Sequence, residues 1–101
     1  MRESQIEAHL RKRIEALGGL CYKFVSPGRR HVPDRIVLLP MRDIALWRGK
    51  PIGRTIFVEL KAPGKKPTPG QLREHARLRE LGFQIEVLDS IEAVDNFVEG
   101  L

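Results

Sequence analysis

The stretch "FVELKAPGKKPTPGQ" (residues 57–71) begins as a strand and ends as the opening turn of a helix. "TIFVELK" (55–61) is the most β-prone segment of the chain, rich in β-branched and aromatic residues. Beyond "APGKKP", Thr68 is placed to cap a second helix, with Pro69 at its first position and Gln71 completing a capping box. Alternate strand residues share a face, so Glu59 and Lys61 point one way and Val58 and Leu60 the other. Two charges ending a solvated edge strand are the ordinary explanation of such a pair, and the rest of the chain decides whether it suffices.

Working outward, Ile6, Leu10, Ile14 and Leu17 recur at helical spacing until Gly18-Gly19 end the first helix. "LCYKFV" (20–25) has strand composition, and "SPGRRHVP" (26–33) is a turn-rich loop. "DRIVLLP" (34–40) is a continuous apolar run closed by Pro40, as in a strand covered on both faces. "IALW" (44–47) predicts a further strand, followed by a loop over 48–54. In the second helix, Leu72, Ala76 and Leu81 are expected on one side and the arginines largely on the other, until Gly82. "FQIEVL" (83–88) alternates as a strand, and Ser90 is expected to cap a last helix ending near Val98. This order, α-β-β-(β)-β-α-β-α, predicts a single α/β domain over 1–101, a mixed central sheet with helices packed on it.

A chain of 101 residues buries only about two thirds of its unfolded surface, so a second copy would be a natural supplement. A single cysteine, Cys21, excludes an internal disulfide and a thiolate metal cluster, as befits a reducing cytoplasm. No apolar run approaches the roughly 20 residues that cross a bilayer, and the charged opening "MRESQIEAHLRKRIEAL" is unlike a signal peptide. A net charge of +5 and a pI near 9.9 point to a polyanionic partner. The cations are grouped: Lys61, Lys65, Lys66, Arg73, Arg77 and Arg79 in the second half, Arg29, Arg30 and Arg35 around the first turn.

Asp34 gives the Glu59–Lys61 pair a chemical context. If the strand that Asp34 heads and the strand that Glu59 ends are antiparallel neighbours, their outer ends meet and the two carboxylates converge. Such carboxylates repel unless a counter-charge lies between them. Mg²⁺ is a hard cation that takes oxygen ligands and contacts substrate phosphates. It can activate water and stabilise charge on a phosphodiester, with Lys61 orienting or deprotonating the attacking water or binding the phosphate.

"VPDRIVL" followed by "FVELKAPGKKPTPGQ" resembles the PD-(D/E)xK nuclease superfamily and, within it, the VRR-NUC (virus-type replication-repair nuclease) domains. The resemblance runs from "RESQIEAHLRKRIEALGG" to "LGFQIEVLDS". It implies a restriction-endonuclease-like core of order α-β-β-β-α-β, with Asp34 and Glu59 as metal ligands, the Leu60 carbonyl assisting and Lys61 as the catalytic lysine. Gln71 would sit at the rim of the site, where its role as capping partner of Thr68 is equally open. The family also places a glutamate of the first helix at the metal, either Glu3 or Glu7. Glu3 continues the inward stripe, whereas Ser4-Q-I-Glu7 has the form of a capping box, which would leave Glu3 just outside the helix; the family pattern favours Glu3. His31 departs from the family, standing where relatives usually have glycine in the "G-x-PD" turn. The stretch over 41–54, with Arg42, Arg48, Lys50 and Arg54 around Trp47, is longer than the hairpin expected; it reads as an extra hairpin for DNA or a subunit contact, or as plain surface.

The resemblance implies a Mg²⁺- or Mn²⁺-dependent, structure-selective DNA endonuclease. Like related Holliday-junction resolvases, it would cut branched DNA such as a four-way junction as a homodimer, in the cytoplasm of a bacterial or phage-infected cell. The alternatives are a nuclease preferring flaps or other structures, and a non-catalytic basic module that binds DNA or RNA.

Overall fold

A computed structural model describes residues 1–40 and 46–101. Its elements are α1 (Glu3–Ala16), β1 (Leu20–Lys23), β2 (Arg35–Leu39), β3 (Leu46–Trp47), β4 (Lys50–Pro51), β5 (Arg54–Leu60), α2 (Pro69–Glu80), β6 (Gln84–Leu88) and α3 (Ile91–Glu99). β1, β2, β5 and β6 form one sheet in that order, antiparallel at the first two junctions and parallel between β5 and β6. This is the mixed α/β architecture that the order of elements predicts.

Ile6, Leu10 and Ile14 of α1 are fully buried against Val37, Ile56, Val58 and Leu60 of the sheet and Val94 of α3. Each such side chain stabilises the fold by about 1.5–3 kcal/mol. α1 is also tied to α3 through Asp95, whose Oδ1 accepts from Arg13 Nη1 at 2.6 Å and lies 2.7 Å from His9 Nε2. The start of α1 differs from the expected Ser4–Glu7 box. Glu3 is already helical, and the Gln5 side chain accepts the Arg2 N–H at 2.7 Å. At the other end Gly18 takes φ +82°, so that its N–H reaches Glu15 and the Gly19 N–H reaches Ile14. A side chain at Gly19 would lie 2.5 Å from the Leu38 carbonyl, and glycine there lets β1 start directly beside β2.

α2 opens as expected: the Thr68 hydroxyl accepts the Gln71 N–H at 3.2 Å, and the Gln71 carboxamide oxygen accepts the Thr68 N–H at 2.9 Å. Its orientation is not as expected. Leu72 and Leu81 are exposed, as is Ala76, and the buried residues are Gly70, Glu74 and His75. The inward face of this helix is polar, because it packs over the functional end of the sheet rather than over the core.

β2 also departs from its expected burial. Val37 and Leu39 are buried on the core face, whereas Ile36 and Leu38 on the other face are half-buried. Opposite them in register stand Tyr22 and Leu20 of the edge strand β1, both exposed. The same face continues through Phe24, Phe57 and Phe83, with successive ring centroids 5.7 and 5.8 Å apart. β3 and β4 form the extra hairpin, turning through Arg48 and Gly49, both at positive φ as a two-residue turn demands. Half of the strand expected over 44–47, and Arg42, lie outside the described residues. No helix among the described residues is long and apolar enough to cross a membrane.

Candidate active site

Asp34 is fixed before its side chain is considered. Pro33 is fully buried, and the Asp34 carbonyl accepts from the Phe24 N–H at 2.9 Å and from Arg35 Nη1 at 2.8 Å. Arg35 stands opposite Val58 in the β2–β5 ladder, so one further step sets Asp34 opposite Glu59. Opposed residues of an antiparallel pair share a face, with Cβ atoms about 5 Å apart. Asp34 Oδ1 then accepts the Leu60 N–H at 3.1 Å, which anchors the carboxylate on β5. The Leu60 side chain itself is in the core.

The two carboxyl groups are close enough to shift each other's proton affinity. Burial, followed by the neighbouring Asp34 charge, pushes Glu59, only 3% exposed, up to about 7 against the pull of Lys61. Burial raises Asp34 as well, opposed by the Leu60 amide and by Arg35. Near neutrality the pair therefore retains a proton that two solvated carboxylates would have lost. Lys61 is half-buried on the same face as Glu59, and its N–H donates to the Leu88 carbonyl at 3.0 Å, prolonging the β5–β6 pairing.

Glu59 Oε1 is buried without a hydrogen-bond partner. It lies 3.5 Å from Nε2 of His75, a fully buried residue whose two ring nitrogens also lack partners. Burial, followed by Arg79 and Lys61, holds the His75 pKa down, so the neutral ring faces the Glu59 carboxyl. Each unsatisfied buried polar group costs about 1–3 kcal/mol, and groups left in this state point to a role outside stability. Sequence reasoning missed His75. Its signal was its place one helical turn after Gln71, next to Glu74.

The glutamates of α1 separate clearly. Glu7 is engaged by Arg11 at 3.4 Å and Arg35 at 3.8 Å. Glu3 is exposed in the first turn of α1, and its charge contributes to raising Glu59. Among the described residues no three His, Cys, Asp or Glu side chains form a cluster able to hold a metal unaided. Asp34 and Glu59 converge, and Glu3 stays at electrostatic range. Gln71 is partly exposed and occupied by the α2 cap. His31 takes φ +68°, a left-handed conformation that favours glycine, and its imidazole lies over Gly70.

No family model matches the chain. It is 58% identical over 90 residues to the protein named "Putative nuclease p44" of Acyrthosiphon pisum secondary endosymbiont phage 1, covering 89% of this chain and 85% of that one. A solved structure of a VRR_NUC domain matches with a TM-score of 0.79 at 39% identity, over 96% of this chain and 94% of that one. Identity at this level across nearly the whole of both chains carries family together with fold. The chain is a nuclease domain and belongs to the VRR-NUC family.

Proposed function

We propose that this nuclease is a metal-dependent DNA endonuclease that hydrolyses phosphodiester bonds at the Asp34–Glu59 pair, prefers branched DNA such as a four-way junction, and works as a homodimer. The observation that supports this reading most is the pair itself, two carboxyls opposed across β2 and β5 with one buried oxygen unsatisfied. A divalent cation in place of the retained proton would neutralise both carboxylates. The donors are hard oxygens, as Mg²⁺ or Mn²⁺ requires, and would be Asp34, Glu59 and the Leu60 carbonyl, with Glu3 approaching from α1. When bound, such an ion supplies charge neutralisation at the phosphate and a more acidic water. Lys61 presents its ammonium beside Glu59 to orient or deprotonate the attacking water or to hold the phosphate. His75 closes the inner side of Glu59 from solvent, and Gln71 stands at the rim.

A purely binding module has no use for buried carboxylates turned towards phosphates, which repel them. Phosphate contacts by Lys and Arg carry affinity without base information, so shape selection fits a chain with so many exposed cations. The open apolar face formed by Leu20, Tyr22, Ile36 and Leu38 favours a second copy, and two copies would supply the paired cuts that a junction needs. The direct test incubates the protein with a labelled four-way junction, a flap and a linear duplex, with and without Mg²⁺ or Mn²⁺. Metal-dependent symmetric cuts in the junction are expected. Cleavage of the flap alone would replace the junction, and retarded but uncut DNA under every condition would remove the enzymatic reading.

The α1 glutamates give a second expected outcome. Glu3→Gln should slow cleavage at least about tenfold with an unchanged melting temperature, since Glu3 acts on the site through its charge. Glu7→Gln should leave cleavage near wild type and cost at most about 1 kcal/mol, because its ion pairs are weak and partly exposed. The reverse result in the two cleavage rates would transfer the role to Glu7.

A further inference from the structure

A cleft of about 480 Å³ lies between the 26–33 loop and α2, lined by Arg29, Arg30, His31, Arg73, Glu74 and Arg77. It is a built feature. Glu74, with its side chain only 7% exposed, receives Arg29 through Nε at 2.9 Å and Nη2 at 2.7 Å, and Arg77 Nε approaches it at 3.6 Å. A Cβ at the buried Gly70 would lie 2.6–2.8 Å from the His31 ring, so only glycine lets the loop close on the helix. Four arginines around one glutamate leave an excess of three positive charges in a single cleft. Arg29 is committed to Glu74, whereas Arg73 and the outward side of Arg77 face solvent.

The position matters as much as the charge. His31 is three residues before Asp34, and Gly70 adjoins Gln71 at the rim of the site. Three residues span at most about 11 Å, which is about three nucleotide steps along a strand. We infer that this cleft is a non-catalytic phosphate subsite, seating a backbone phosphate of the substrate strand within about three nucleotides of the cut, with Arg30, Arg73 and Arg77 as its ligands. Arg29 and Glu74 are the clamp that holds the loop wall in place. The planar guanidinium fork suits phosphate oxygens, and no base is read here, so the subsite fixes the register of the strand without choosing sequence. This inference rests on DNA being the substrate.

The test measures the dissociation constant for a four-way junction and a duplex in metal-free buffer, over a range of salt. Arg73→Ala with Arg77→Ala should weaken both complexes alike and lower the salt slope by about 1.8, that is about 0.9 per lost phosphate contact. Arg73→Lys with Arg77→Lys should retain the slope, and Lys12→Ala on α1 should leave it unchanged. With metal added and DNA saturating, the double alanine variant should cut at the wild-type rate with a raised KM. An unaltered slope and KM in a variant that still binds and cuts would overturn the subsite and leave the nuclease reading standing. Failure of the wild-type protein to bind either DNA would overturn both.

Discussion

Lys61→Ala is expected to reduce single-turnover DNA cleavage by about 10²–10⁴, the range for loss of a positioned proton-transfer or charge-stabilising group, while DNA binding changes only a few-fold. The strand periodicity puts the Lys61 side chain on the Glu59 face, and its charge lowers the proton affinity of Glu59, Asp34 and His75 together. Its removal should therefore also move the rising limb of the pH–rate profile to higher pH, because Glu59 then holds its proton more tightly. A surface lysine with only a general electrostatic role would lose binding and keep its rate. Quench-flow cleavage between pH 6 and pH 9 separates the two, and an unchanged rate would take Lys61 out of the chemistry.

The second large effect concerns stability, and its sign is set by the raised pKa of Glu59. A carboxyl that titrates near 4.5 when unfolded and near 7 when folded favours folding in its protonated form. That contribution is complete below about pH 4.5 and is lost as the pH rises through 7. The metal-free protein should thus weaken between pH 5 and pH 8, and Glu59→Gln should abolish the decline. At pH 8 the variant should be more stable than wild type by about 1–3 kcal/mol, or roughly 5–15 °C in melting temperature, and at pH 4 the two should coincide. Added Mg²⁺ should restore wild type at pH 8 and leave the variant unmoved. Parallel melting curves of the two proteins across this range would show that Glu59 carries no strained charge.

Local signals specified most of the architecture. The Thr68–Gln71 box, the glycines that end α1 and α2 and the Ser90 cap each appear where residue chemistry places them, with the Ser90 hydroxyl accepting the Ala93 N–H at 2.9 Å. The meeting of Asp34 and Glu59 was also legible, since it requires only that two antiparallel strands align their ends. The errors share a cause. Leu72, Ala76 and Leu81 suggest an apolar side of α2 opposite the arginines, and instead the helix exposes them and buries Glu74 and His75. Hydrophobic periodicity reports which face meets an apolar core, and α2 meets a carboxylate pair and an arginine loop. The same blindness hid His75, whose burial has no apolar signature, and the Arg29–Glu74 clamp, whose partners lie 45 positions apart. Ser4–Glu7 satisfied a capping pattern locally, but the ion pairs of Glu7 with Arg11 and Arg35 draw it away, and the helix begins one residue before Ser4.

On the proposed mechanism, the proton that the raised affinities of Asp34 and Glu59 keep on the pair near neutrality would give way to a divalent ion. Calorimetric titration of the protein with Mn²⁺ at pH 6.5, in buffers of differing ionisation enthalpy, counts the protons displaced on binding. One site per chain releasing about one proton is predicted, with binding lost in both Asp34→Asn and Glu59→Gln. Binding that releases no proton, or that survives in both variants, would contradict it.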